Sequence, residues 1–319
     1  MNNVIHTSEA NSGTDPSISK GYFVAEIQSM MHGFGDAKAP LLESACLIET
    51  VVQQQQRTLI NQAADVAAMR GVKCVGPEDI LFLLRKDRVK IQRLLKYLAV
   101  RDLKSNINNV LGESSVEGDL QLDTSLGTGK KRSRLCLDFL QSIDQTGELT
   151  DTSSFPIDIV KYERNVRAER ASRELNQSSY LEFVNARRAS FASRKSGPKF
   201  REWLRSKSDV NSEVPKISDA AYDLLSYMAY ETVAQIMDLT LLVRQDNMAR
   251  PGVAFSRYLP SAGYSTHQTL DSRQIESAPP LTPSEIREAL RRYWTSPVGP
   301  ASHFTRNLTS HVHSRLLSC

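Results

Sequence analysis

Residues 40–87 read PLLESACLIETVVQQQQRTLINQAADVAAMRGVKCVGPEDILFLLRKD. Apolar side chains recur at Leu41, Ala45, Ile48, Val52, Leu59, Ala63 and Val66, with Gln55 filling the one gap. Steps of three and four place them on a single stripe of a single helix. About seven turns of it span roughly 40 Å at the helical rise. A helix of that length draws most of its stability from tertiary contact, so the stripe requires a partner surface. Gly71 stops the helix, and Lys73-Cys74-Val75 is short and extended in character. A second helix start follows, with Gly76 as cap, Pro77 in the first position and Glu78 and Asp79 in the first turn. Ile80, Leu81, Leu83 and Leu84 give that short helix its apolar side.

Upstream, residues 1–19 are rich in Ser, Thr, Asn and Asp and read as a disordered lead-in. Ser19 caps an expected helix from Lys20 with Tyr22, Ile27, Met30 and Met31 as contacts, and Gly33-Phe34-Gly35-Asp36 closes it as a tight loop. Downstream, a helix from Arg88 to about Ser105 carries Ile91, Leu94, Leu95 and Leu98 on one side. These elements make a first unit, 20–105. Residues 106–155 read as a linker holding a short basic and apolar segment around Lys130 to Leu140. Residues 156–196 form a helical connecting region.

The second half repeats the plan of the first. A short helix (Pro198–Ser206) precedes a long one (Ser218–Asn247) striped by Ala221, Leu224, Leu225, Met228, Thr232, Ile236, Leu239 and Val243. After an irregular loop, Thr282-Pro283-Ser284-Glu285 is a capping box that opens a last short helix through Trp294. This second unit covers 197–294 with an inserted loop at 249–281, and 295–319 reads as a flexible tail. A short, a very long and a short helix joined by brief loops resemble the plan of a histone fold. The fold class is therefore all-α, with two histone folds in one chain whose long helices cross antiparallel and bury each other's stripes.

Composition narrows the function. In 319 residues the formal net charge is only +4, which argues against indiscriminate DNA wrapping. Cys46, Cys74, Cys136 and Cys319 are scattered without metal-ligand spacing and suit a reducing compartment. The polar N-terminus lacks the apolar core of a signal peptide, and no apolar run approaches the ~20 residues of a membrane span. The expectation is a soluble intracellular protein.

Several motifs carry a resemblance. Met31-His32-Gly33-Phe34-Gly35-Asp36, Leu81-Phe82-Leu83-Leu84-Arg85-Lys86-Asp87 and Leu94-Leu95-Lys96-Tyr97 are similar to the first half of the suppressor-of-Ty three family. Phe200-Arg201-Glu202-Trp203-Leu204, Ala229-Tyr230-Glu231-Thr232-Val233 and Leu242-Val243-Arg244-Gln245-Asp246 are similar to its second half. Tyr180-Leu181-Glu182-Phe183 and Ala189-Ser190-Phe191 resemble its connecting region. The match covers about two-thirds of the chain. The resemblance implies a non-enzymatic nuclear subunit of the SAGA co-activator, paired with other histone-fold subunits and presenting TATA-binding protein to promoters. Exposed loops and the Tyr22–Asp36 face would meet those subunits. Glu231 lies in the stretch the family is thought to use for TATA-binding protein, where a carboxylate on a rigid helix would meet a basic partner surface. Many histone folds also clamp a loop with an arginine seven residues before the aspartate of the third helix. Here that aspartate would be Asp79, the arginine's place holds Val72, and the adjacent Lys73 lacks the bidentate fork.

Other candidates carry less. Residues 156–207 hold 13 Lys or Arg against 6 Asp or Glu, so Lys161, Arg164, Arg167, Arg170 and Arg173 could touch DNA weakly. Interspersed Glu163, Glu169 and Glu174 favour a solvated face of ion pairs instead. Lys130, Lys131, Arg132 and Arg134 fit a nuclear-import cluster, or equally a solvated linker. Gly127-Thr128-Gly129-Lys130 lacks the full spacing of a phosphate loop, and His303, His311 and His313 lack supporting metal ligands. With no catalytic constellation, no cofactor and no small-molecule substrate are expected. The alternative function is a histone-fold transcription factor that binds DNA directly.

Overall fold

The computed structural model describes residues 21–113, 132–149, 157–173, 175–192, 196–206, 215–248, 279–295 and 316–317. Ten helices and two short strands fall within them: α1 (Val24–Phe34), α2 (Leu42–Met69), β1 (Cys74–Val75), α3 (Pro77–Leu84), α4 (Arg88–Glu113) and α5 (Arg132–Ile143), then α6 (Ile159–Arg173), α7 (Gln177–Arg188), α8 (Ser196–Arg205), β2 (Lys216–Ile217), α9 (Asp219–Met248) and α10 (Pro283–Trp294).

The two long helices, α2 and α9, pack against each other within the chain. Ala45, Ile48, Val52, Leu59 and Ala63 from α2 meet Ala221, Leu225, Met228, Val233 and Ile236 from α9 in one continuous core. Each fully buried aliphatic side chain contributes roughly 1.5–3 kcal/mol, so this seam dominates the fold's stability. Two joints fix the antiparallel sense. At one end β1, leaving α2, pairs in parallel with β2, entering α9, in the register Cys74↔Lys216 and Val75↔Ile217. At the other, the loop before α2 meets the loop after α9, where the Leu281 amide donates to Asp36 Oδ1 (2.8 Å) and Ser44 Oγ donates to the Leu281 carbonyl (2.6 Å). Those contacts are the mutual grip of a histone pair, made here by two halves of one molecule.

Several buried polar residues at the crossing are bonded. Gln53 donates to the Trp203 carbonyl at 2.6 Å. Gln56, fully buried, faces the Leu225 carbonyl (3.2 Å) with its amide nitrogen and the Ala229 amide (3.1 Å) with its oxygen. Thr232 and Thr240, buried on α9, donate to the carbonyls one turn back.

Several expectations are corrected. Ser19 lies outside the described residues, and α1 begins at Val24, where the Phe23 amide donates to Glu49 of α2 at 2.7 Å. Gly33 sits inside α1 rather than in a loop, and a Cβ there would lie 3.2 Å from the backbone of Ala186 on α7. Gly35, at φ +115°, alone supplies the left-handed end. Helix α4 runs on to Glu113, into residues read as linker. The basic and apolar segment is helix α5, which buries Cys136 and Leu140 against α3 and α4. Within the tail read as flexible, Leu316 and Leu317 are buried: the Leu317 amide donates to Gln55 and Tyr293 donates to the Leu316 carbonyl.

Candidate partner-binding site

Glu231 projects from the middle of α9, one turn after Tyr227. Its side chain is only 14% exposed. Oε2 accepts from Arg93 of α4 at 2.8 Å and from Arg164 of α6 at 3.0 Å, while Tyr227 donates to Oε1 at 3.3 Å. Arg93 also grips Asp158 with both arms of its guanidinium at 2.7 Å. Arg164 reaches on to Asp238 at 2.7 Å, and Arg167 closes the chain by pairing with the same carboxylate. The result is a continuous ladder of alternating charge joining α4, α9 and α6.

Burial would by itself lower the pKa of Arg93, but Asp158 and Glu231 more than offset it and hold the guanidinium charged. Burial also opposes ionisation of Asp158, yet its bonds to Arg93 and to the Lys161 amide push its pKa below the usual range. Tyr227 moves up, first through burial and then through the charge of Glu231. Glu231 is therefore neither a solvated helix-face charge nor a carboxylate standing clear of its own fold. A second ion cluster flanks it, in which Arg101 and Arg132 share Asp223 at 2.6 Å each, and Ser133 binds Asp102 through both amide and hydroxyl.

Two arginine clamps frame the joints. Arg70, the C-cap of α2, pairs bidentately with Asp79 (2.8 and 3.1 Å), whose Oδ2 also caps α3 through the Gly76 amide at 2.8 Å. The clamp at Val72 is thus supplied from nine residues before the aspartate. Gly71, at φ +72°, turns the chain immediately after Arg70. In the second half Arg244 grips Glu285 bidentately (2.7 and 2.8 Å), and Glu285 caps α10 through the Thr282 amide at 2.8 Å. Sequence reasoning found the caps and missed both arginines, although each lies near the end of its long helix.

Of the import cluster, Lys130 and Lys131 lie outside the described residues, Arg132 is engaged by Asp223, and Arg134 is exposed. In the basic stretch Arg164 and Arg167 turn inward to the ladder, while Arg173 pairs with Glu169 on the surface. The Tyr22–Asp36 face is largely covered by the chain itself: α7 lies along α1, and His32 meets Phe183 edge-on at 5.5 Å. Phe23 joins Phe191, Phe200 and Trp203 in one aromatic cluster, so two separate motifs, one carrying Phe191 and the other Phe200 and Trp203, meet in one packed group. The three tail histidines lie outside the described residues, among which no cluster of His, Cys, Asp or Glu could hold a metal.

Two histone folds clasped within one chain, each with its arginine clamp, define an intramolecular histone-fold pair. Residues 21–112 match the family described as transcription initiation factor IID, 18kD subunit. Over 285 residues the chain is 30% identical to SAGA complex subunit Spt3 of Drosophila melanogaster, covering 85% of this chain and 67% of that protein. SAGA complex subunit Spt3 of Schizosaccharomyces pombe is 26% identical over 275 residues, covering 84% and 88%. Transcription initiation factor TFIID subunit 13 of Arabidopsis thaliana is 39% identical over 83 residues, 26% of this chain and 64% of that one. The chain belongs to the Spt3 family of SAGA complex subunits.

Proposed function

We propose that this protein is a non-catalytic subunit of a SAGA-type co-activator in the nucleus, docking with other histone-fold subunits and presenting TATA-binding protein to promoters. The observation that carries the reading is the similarity to Spt3 along 85% of the chain, laid over a pair of histone folds already satisfied internally. A chain that completes its own pair offers its remaining outer surfaces to neighbours. Purification of the tagged protein from nuclear extract tests this: co-elution of SAGA subunits and TATA-binding protein is the expected result, and their absence removes the proposal.

Within that role, the stretch Ala229–Val233 supports TATA-binding protein through the shape of the ladder, with Glu231 holding α4 and α6 in place. Lys130, Lys131, Arg132 and Arg134 serve nuclear import. Two variants separate support from direct contact. Glu231→Lys is expected to reduce capture of TATA-binding protein, and adding Arg164→Glu, which rebuilds a pair of opposite sense, is expected to restore part of it. No recovery in a folded double variant would make Glu231 itself the contact. Direct DNA binding is the competing role, and the inward turn of Arg164 and Arg167 weighs against it. A duplex affinity falling steeply with salt would favour it instead.

A further inference from the structure

Along the outer side of α4, Val100, Leu103 and Ile107 are 65%, 59% and 56% exposed. Their spacing of three and four residues makes one stripe, and Lys96 and Lys104, both exposed, stand at its end and edge. Asp102, the one carboxylate between these lysines, is buried on another side of the helix against Ser133 and Arg132. The stripe is thus apolar with a basic border, on a helix whose opposite side is packed by Ile91, Leu94 and Leu98.

The path of the chain says what lies near it. Helix α4 is described to Glu113 and helix α5 from Arg132, whose neighbour Ser133 is bonded to Asp102. Residues 114–131 therefore link two points eleven positions apart along α4, about 16 Å at the helical rise. Fully extended, eighteen residues reach about 60 Å, so they have length to spare for contact on the way. Their sequence, SSVEGDLQLDTSLGTGKK, sets Val116, Leu120, Leu122 and Leu126 among Glu117, Asp119 and Asp123. Apolar residues bordered by carboxylates complement apolar residues bordered by lysines, and two such surfaces tethered end to end meet at high effective concentration.

We infer that the Val100–Leu103–Ile107 stripe of α4 is the docking site of the chain's own acidic segment, residues 116–126. The contact combines burial of leucines on the stripe with ion pairs to Lys96 and Lys104. It makes this stripe an internally occupied surface, which another acidic, apolar peptide could enter only by displacing the segment.

The test uses the full chain with Leu103 replaced by photo-reactive p-benzoylphenylalanine, irradiated after purification and mapped by mass spectrometry. Cross-links to a peptide within 114–131 of the same molecule are expected. Charge reversal by Glu117→Lys, Asp119→Lys and Asp123→Lys together should cut their yield at least threefold, and should leave the circular dichroism melt unchanged. An unchanged yield would overturn the inference. So would a covalent dimer, which would make a second copy the occupant, or cross-links confined to another subunit when the protein is purified in its complex.

Discussion

Removing the Glu231 carboxylate takes away the acceptor that Arg93 and Arg164 share. Arg93 keeps Asp158 and Arg164 keeps Asp238, so loss of the shared carboxylate costs roughly 1–3 kcal/mol, and Glu231→Lys adds a third cation beside them. Urea melts of that variant are expected to shift accordingly, whereas a solvated helix-face charge would leave them unmoved. Glu285 gives a prediction in pH. Burial opposes its ionisation, but Arg244 and the Thr282 cap more than offset this and hold its pKa at about 2 against 4.5. A depressed carboxylate pKa adds stability that is present above the unfolded value and lost as pH falls through the folded one. The stability gap between the native chain and Glu285→Gln should therefore be constant above about pH 5 and close between pH 4.5 and 2 in acid denaturation curves. Across the same joint Asp36 shifts the other way, raised by burial, and its Oδ2 has no partner among the described residues. Its contribution is complete below the unfolded pKa and falls away as pH rises through the folded one.

Helix α6 is held by charge rather than by an apolar stripe. Ala168 is its only fully buried residue among those described, and Ile159, Val160 and Tyr162 are exposed. Salt screens such an attachment and leaves an apolar seam intact. Amide exchange in α6 is expected to quicken several-fold between 0.1 and 1 M salt, with α2 and α9 unchanged; equal protection at both would show that packing holds it. Helix α7 depends on shape instead. Gly33→Val places branched carbons where α1 meets the Ala186 backbone, and overpacking of this kind costs about 1–3 kcal/mol, read as a lowered melting temperature with faster exchange in α7. These two helices also mark where sequence reading loses its grip. Periodicity and caps are local, so α2, α9, α3 and α10 can be read directly from Leu59, Ile236, Pro77 and Thr282. The ladder cannot, because Arg93 meets Asp158 and Glu231 at separations of 65 and 138 residues, and nothing local distinguishes an arginine drawn inward from one left in water. Resemblance alone singles out residue 231 in the sequence, and it does not point to the ladder partners Arg93, Arg164 and Tyr227.

At the scale of the molecule, the seam between α2 and α9 predicts a monomer in solution, with light scattering giving one chain of 35.7 kDa. A species of twice that mass would mean that the long helices pair between molecules. The internal repeat extends to atoms. Asp79 and Glu285 stand at the same position of their helices, each capping its own N-terminus while receiving a bidentate arginine from the preceding long helix. Breaking one clamp should loosen one joint more than the other. Arg70→Ala is expected to speed exchange at Cys74 and Val75, and Arg244→Ala to act around Leu281, each costing about 2 kcal/mol as a charged hydrogen-bonded group loses its partner.

Covalent union of the two halves also settles a question of competition. Histone folds on separate chains choose mates by mass action, and an excess of one related subunit can capture another's. Here each half meets its mate at a local concentration on the order of millimolar, which rivals at cellular abundance cannot match. Ratio and identity within the pair are fixed when the chain is made, and changes in the supply of other histone-fold proteins leave them untouched.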